Sequence, residues 1–216
     1  MGECWYARPM PDELRVSIPF SAGSLSGRLA AAVAPSLAAV VCHPHPAYGG
    51  HMYNNVVLAL RDGFAAANAA VLRFDFRGVG SSDGESAGGA EEVDDVLAAA
   101  AWMSESHPGV PLVLAGYSFG AVMALRAARP EEVRGLLLVA PPTAMLAADE
   151  LGLAAMTMLI VVGDRDGFCP LADLHALTAD RVPTSVIHGA DHFFSGFEDE
   201  VSAAASAFCR ALAAAT

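Results

Sequence analysis

The pentapeptide Gly116-Tyr117-Ser118-Phe119-Gly120 stands directly between an apolar run, Pro111-Leu112-Val113-Leu114-Ala115, and a helix-forming segment that continues to Ala128. A buried strand that turns at once into a helix leaves the apex residue with a strained backbone, and small neighbours are needed where side chains would collide with adjacent elements. The turn lifts Ser118 above the strand ends and aims free N–H groups of the helix N-terminus at whatever binds there. G-x-S-x-G alone recurs by chance in a chain with 20 glycines; the flanking strand and helix are what mark Ser118 as a nucleophile rather than a turn serine.

The rest of the 216 residues repeats that strand and helix alternation. Short β-branched or leucine-rich runs are expected as strands at Arg15 to Pro19, Ser26 to Val33, Leu37 to Cys42, Ala70 to Phe74, Leu112 to Ala115, Leu136 to Val139, Met158 to Val162 and Ser185 to His188. Longer alanine-rich segments predict helices at Asn55 to Asn68, Glu91 to Glu105, Phe119 to Ala128, Leu171 to Ala179 and Phe197 to Ala214. Near-continuous apolar strands separated by helices read as a parallel sheet covered on both faces. The link Ser21-Ala22-Gly23-Ser24 is too short for a crossover helix, so the first two strands form an antiparallel edge. No internal repeat or long linker interrupts the chain, which reads as a single domain over residues 1–216.

Charge removes several classes of function. Twelve basic residues, all arginine, stand against twenty-four acidic ones for a net charge of -12, which denies nucleic acid the clustered positive field that phosphate neutralisation needs. The longest apolar stretches, such as Ala30 to Cys42 with Pro35 and Ser36 inside it, fall short of the roughly 20 residues of a bilayer span. Glu3 stands in an N-terminus with no basic segment before an apolar run, so a cytoplasmic location without a signal peptide is expected. Cys4, Cys42, Cys169 and Cys209 form no C-x-x-C pair; buried free thiols are the expectation for Cys42 and Cys209, and a small packing residue for Cys169, with oxidation sensitivity beside the acid loop as the alternative.

A serine hydroxyl attacks only when a base removes its proton, so Ser118 calls for a histidine and a carboxylate that orients it. In an open parallel sheet both come from loops at the same carboxyl edge. His192 follows the strand ending at His188, and Asp166 follows the strand ending at Val162, giving the chain order Ser118, Asp166, His192. Asp191 adjoins His192 in sequence and is read as loop-shaping, because adjacent side chains diverge; Asp164 stands as the rival acid, closer to the strand end. A base of this kind works only unprotonated, so activity is expected to fall at acid pH.

These segments together resemble the α/β-hydrolase superfamily, and within it the small lidless bacterial serine hydrolases related to dienelactone hydrolases and short-chain esterases. The residues that carry the resemblance are His43-Pro44-His45-Pro46-Ala47-Tyr48-Gly49-Gly50 with Met52 and Asn54, Arg73-Phe74-Asp75-Phe76-Arg77-Gly78-Val79-Gly80-Ser81-Ser82, the Ser118 turn, and the Asp166 and His192 loops. It spans about Val16 to Cys209. It implies a three-layer α/β-hydrolase fold, with a mostly parallel eight-stranded sheet and an antiparallel N-terminal edge. Larger relatives insert a helical cap before the acid strand, but here only Ala140 to Thr157 is available, so no cap domain is expected. The offset of the acid from its strand in related folds favours Asp166.

The resemblance also places half of an oxyanion hole in the His43 loop. Phe119 N–H, next to the nucleophile, is one expected donor; Pro44 and Pro46 carry no N–H, so the second is His45 or Ala47, and the superfamily's loop favours His45. Ala47, Tyr48, Met145, Phe168 and Phe193 are candidates for substrate binding around a shallow site.

Cofactor readings fail at the residue level. Gly78-Val79-Gly80 meets Asp83 where a dinucleotide loop wants glycine or alanine, and a phosphate loop needs a lysine that the chain lacks. His43, His45 and His51 lack the companions of a zinc site, so no metal is expected. Asp75 and Arg77 are read as pins for loops, with an anionic substrate group as the alternative for Arg77. The expectation is a cofactor-free serine hydrolase of a small carboxylic ester or thioester, monomer or homodimer, with no nucleic-acid or membrane partner. An acyltransferase or cyclase on the same three residues, or a non-catalytic ligand-binding protein of this fold, are the alternatives.

Overall fold

The computed structural model describes residues 13–147, 149–151 and 156–215. Eight strands form one sheet: β1 (Glu13–Phe20), β2 (Gly23–Ala30), β3 (Leu37–Cys42), β4 (Ala69–Phe74), β5 (Leu112–Tyr117), β6 (Val133–Val139), β7 (Thr157–Gly163) and β8 (Thr184–Ile187). Their spatial order is β1-β2-β4-β3-β5-β6-β7-β8. β1 pairs antiparallel with β2 and β2 with β4, and every later pairing is parallel.

Side chains alternate across the central strands and divide the core in two. Ala38, Val40 and Cys42 of β3, with Leu112 and Leu114 of β5, face α2 (Glu92–Ser106), α3 (Phe119–Ala127) and α4 (Leu171–Thr178). Leu37, Ala39 and Val41, with Val113 and Ala115, face α1 (Asn55–Ala66) and α5 (Glu198–Ala214). Helices on both faces give three layers, and strands buried on both sides are apolar throughout. α1 packs so closely on α5 that a Cβ on Gly63 would lie 2.2 Å from the Ser202 carbonyl oxygen.

The helix ends follow their local chemistry. The Asn54 side chain accepts from Val56 N–H at the start of α1, and Asn68, with φ +59°, ends it by donating its N–H to the Ala65 carbonyl. The sequence places β2 three residues too late. The hairpin turns on Ser21 and Ala22 alone, so Gly23 already pairs with Phe20, and the strand ends at Ala30, before the exposed Val33 and the positive φ of Ala34.

Between β6 and β7, residues 140–156 supply a connection whose described part contains one short 3-10 turn, Thr143–Met145; this leaves the carboxyl edge without a cap domain. Among the described residues no helix is long and apolar enough to cross a membrane. β3 is followed in the chain by β4 on one side, while β5 lies on its other side, so the order of connection reverses between β3 and β5. Such a reversal opens a crevice at the carboxyl ends, and Ser118 stands at the end of β5 beside it.

Candidate active site

Ser118 adopts φ +54° and ψ −120°, a conformation that non-glycine residues rarely hold. Its N–H is tied to the Val139 carbonyl at 2.9 Å. The flanking glycines are demanded by space: a Cβ on Gly116 would lie 2.3 Å from the Gly120 carbonyl oxygen, and one on Gly120 would lie 2.4 Å from that of His43. The turn is thus wedged between its own helix and the end of β3.

Two loops bring the other groups to this apex. His192 Nε2 is 3.0 Å from Ser118 Oγ, and His192 Nδ1 is 2.8 Å and 3.0 Å from the two carboxylate oxygens of Asp166. Asp166 Oδ1 also accepts from the N–H groups of Phe168 at 2.8 Å and Cys169 at 2.9 Å, so its plane is fixed before it meets the imidazole. With Nδ1–H donating to a carboxylate, the imidazole presents Nε2 as an acceptor for the serine hydroxyl. Asp166 and His192 are buried, while Ser118 is partly open.

The rival carboxylates have other partners. Asp164 accepts from Gly189 N–H at 2.7 Å and meets His188 Nδ1 at 3.0 Å, which joins the two loops that carry Asp166 and His192; the Gly189 N–H and then His188 hold this carboxyl below its usual range. Asp191 accepts from Phe193 N–H two residues on, an Asx turn. The loops also bond directly, Arg165 N–H to the Ala190 carbonyl at 3.0 Å, an approach that needs Gly163 because a Cβ there would sit 2.2 Å from the same oxygen.

Sequence reasoning missed two braces of the His192 loop. Tyr117 Oη donates to the His192 carbonyl at 2.7 Å, and burial pushes this phenol well above its usual range, so it stays a donor. Asn55 Nδ2 donates to the Phe193 carbonyl and to Glu198 Oε1, both at 3.0 Å. The signal for Tyr117 was present: a phenol on a buried strand needs a partner for its hydroxyl. Nothing in the sequence pointed to Asn55.

On the other side of Ser118 lies the His43 loop. His43 is buried, its Nδ1–H donating to the Pro44 carbonyl at 2.6 Å and its Nε2 accepting from Phe76 N–H at 3.0 Å. Burial pushes its pKa down to about 4, and with both nitrogens on backbone this histidine is a structural pin. Ala47 N–H is taken by His45 Nδ1 at 3.1 Å. His45 N–H and Phe119 N–H have no acceptor among the described residues. The loop closes tightly, since a Cβ on Gly50 would lie 1.9 Å from the Pro44 carbonyl oxygen.

The Arg73 to Ser82 segment braces that loop from below. Arg73 donates to the Met52 carbonyl at 2.9 Å and pairs with Glu13, and Asp75 Oδ1 accepts from Met52 N–H at 2.7 Å. Arg77 is spent on Asp95, at 2.9 Å and 2.7 Å, and on Glu91, which leaves it no role toward an anionic substrate. Asp83 accepts from Ser24 N–H at 2.8 Å and ties this segment to the first hairpin.

Of the candidate rim residues, Tyr48, Phe168 and Phe193 are exposed, with Phe168 and Phe193 against His192 and Tyr48 against His45. Ala47 is exposed beside them, while Met145 is half-buried and packs on the core. Cys169 is the packing residue expected, in the core beside the acid loop. It is fully buried, and burial followed by the nearby Asp166 and Asp173 charges pushes its thiol up to about 12, so it offers no thiolate to an oxidant. Cys42 and Cys209 are buried free thiols, and Cys4 lies outside the described residues.

Comparison with known proteins points the same way. A family model described as serine aminopeptidase, S33, matches residues 36–165. An uncharacterised protein of Rickettsia prowazekii is 33% identical, with 84% of this chain and 82% of that protein covered. An α/β-hydrolase-fold protein of unknown function from Agrobacterium tumefaciens is 32% identical with a TM-score of 0.82, covering 92% of this chain and 95% of that one. A serine hydrolase without a lid from Xanthomonas campestris is 27% identical with a TM-score of 0.84, covering 94% of this chain and 95% of that one.

Proposed function

The chain belongs to the α/β-hydrolase superfamily, in the family described as serine aminopeptidase, S33, and from that premise we propose that it cleaves a small carboxylic ester or thioester through an acyl-enzyme on Ser118. The observation that carries this reading is the unbroken line of contacts from Ser118 Oγ through both nitrogens of His192 to Asp166.

Ser118 Oγ attacks the acyl carbonyl while His192 Nε2 takes its proton, and Asp166 stabilises the imidazolium that forms. The oxygen that becomes negative is received by Phe119 N–H and His45 N–H. His45 is the better second donor because the Ala47 N–H is already engaged by the His45 ring. Each such donor is worth about 2.7–4 kcal/mol of barrier. His192 then returns its proton to the departing alcohol or thiol, and water, activated by the same imidazole, releases the acid. No step calls on a cofactor or a metal.

A panel of nitrophenyl esters and acyl thioesters of graded chain length, with Ser118→Ala as control, tests the proposal. Hydrolysis that disappears in Ser118→Ala supports it, and hydrolysis that persists there refutes it.

A further inference from the structure

The exposed aromatic side chains at the carboxyl edge exceed what the fold needs. Among the described residues Tyr48 is 89% exposed, Phe168 58% and Phe193 60%, whereas nearby Tyr53 is held by Arg73 over its ring and by Arg28 on its hydroxyl. The Phe168 and Phe193 rings flank the imidazole of His192, with centroids 4.6 Å and 5.9 Å away. Their backbones have structural tasks: Phe168 N–H binds Asp166, Phe193 N–H binds Asp191, and the Phe193 carbonyl accepts from Asn55. Any residue but proline would supply those atoms, so the two phenyl rings are not accounted for by loop geometry. Apolar rings exposed together beside a reactive centre mark a binding surface.

The chemistry says which part of a substrate meets them. When the tetrahedral intermediate collapses, the bond from carbon to the departing oxygen or sulfur breaks. Its electron pair goes to that atom, which takes the proton from His192 Nε2, and the carbonyl re-forms on the Ser118 ester. The leaving group must therefore lie at His192, whereas the oxyanion points to Phe119 and His45. We propose that this protein selects its substrates by the leaving group, taking an alcohol or thiol that carries a flat aromatic ring against Phe168 and Phe193. The proposal rests on the assignment of Ser118 and His192 as nucleophile and base.

Benzyl acetate and methyl phenylacetate are isomers with the ring on opposite sides of the ester, and ethyl acetate lacks it. The expected result is a kcat/KM for benzyl acetate well above that of either other ester. Phe168→Ala and Phe193→Ala should each cut the benzyl-to-ethyl ratio about tenfold, the scale of one lost apolar contact, with Phe168→Leu falling less. Val33→Ser, at an exposed apolar position in the link between β2 and β3, should leave the ratio alone. Labelling of Ser118 by a fluorophosphonate checks that each variant retains a formed site. A labelled enzyme that shows no benzyl preference, prefers methyl phenylacetate, or keeps its ratio in both alanine variants overturns the proposal while leaving Ser118 as nucleophile. Ester hydrolysis that survives Ser118→Ala overturns the underlying assignment instead.

Discussion

The hydroxyl of Tyr117 donates a 2.7 Å hydrogen bond to the main-chain carbonyl of His192, so the residue immediately before Ser118 holds the segment that carries the imidazole. Strand β5 thus fixes both ends of the contact between Ser118 and His192: one through the turn at its end, the other through a side chain on its last residue.

Tyr117→Phe removes that bond and leaves a buried carbonyl without its donor. The expected cost is about 1–3 kcal/mol of stability, read as a fall in Tm. A larger proportional fall is expected in kcat than in KM, because the base loses its fixed distance to Ser118 before the acyl group is bound.

The two aspartates of the acid loop separate cleanly by their partners. Asp166→Asn keeps the shape but supplies the wrong group to His192 Nδ1, and kcat should fall by roughly a thousandfold or more. Asp164→Asn touches Gly189 and His188 rather than the triad and should change kcat far less. Steady-state kinetics on one nitrophenyl ester distinguishes them; equal losses would contradict the assignment.

Glycine positions differ in the same measurable way. Gly120→Ala would drive a Cβ to within 2.4 Å of the His43 carbonyl oxygen and 2.5 Å of that of Cys42, forcing β3 from β5 at about 3 kcal/mol or more. Gly167→Ala meets nothing within 4 Å and should leave Tm nearly unchanged. Thermal melts of the two variants check the contrast.

His43 gives a signed dependence on pH. Burial pushes its pKa down to about 4 in the folded protein, so an unfolded chain binds a proton that the folded one refuses between pH 6.5 and that value. Stability is therefore present above about pH 6.5 and lost as the pH falls toward 4, by up to about 3 kcal/mol. Asp75, whose pKa is raised by burial, slopes the opposite way. His43→Gln shares Asp75 but cannot take up this proton, so it should be less stable at neutral pH yet lose less Tm between pH 6.5 and 4.

Much of this was legible in the sequence because the strands are buried on both faces and read as apolar runs; β3 is reproduced from Leu37 to Cys42. The sharp turn at Ser118 was legible for the same reason, since its glycines sit where two elements touch. Less was visible where a tight turn or a side chain reaching across the chain decides. β2 was read three residues late because Gly23 pairs at once with Phe20. The bonds from Tyr117 to His192 and from Asn55 to Phe193 cross 75 and 138 positions, which no local pattern encodes. The preference for His45 over Ala47 as the proposed donor rests on a contact inside a single loop, the ring of one on the N–H of the other.

The covalent role of Ser118 is tested most directly by quenching the enzyme during turnover of p-nitrophenyl acetate and locating the acetyl group by mass spectrometry. The expected result is an acetyl adduct on Ser118 that is absent from His192→Ala. Turnover that proceeds with Ser118 unmodified, and at the same rate in Ser118→Ala, would contradict it.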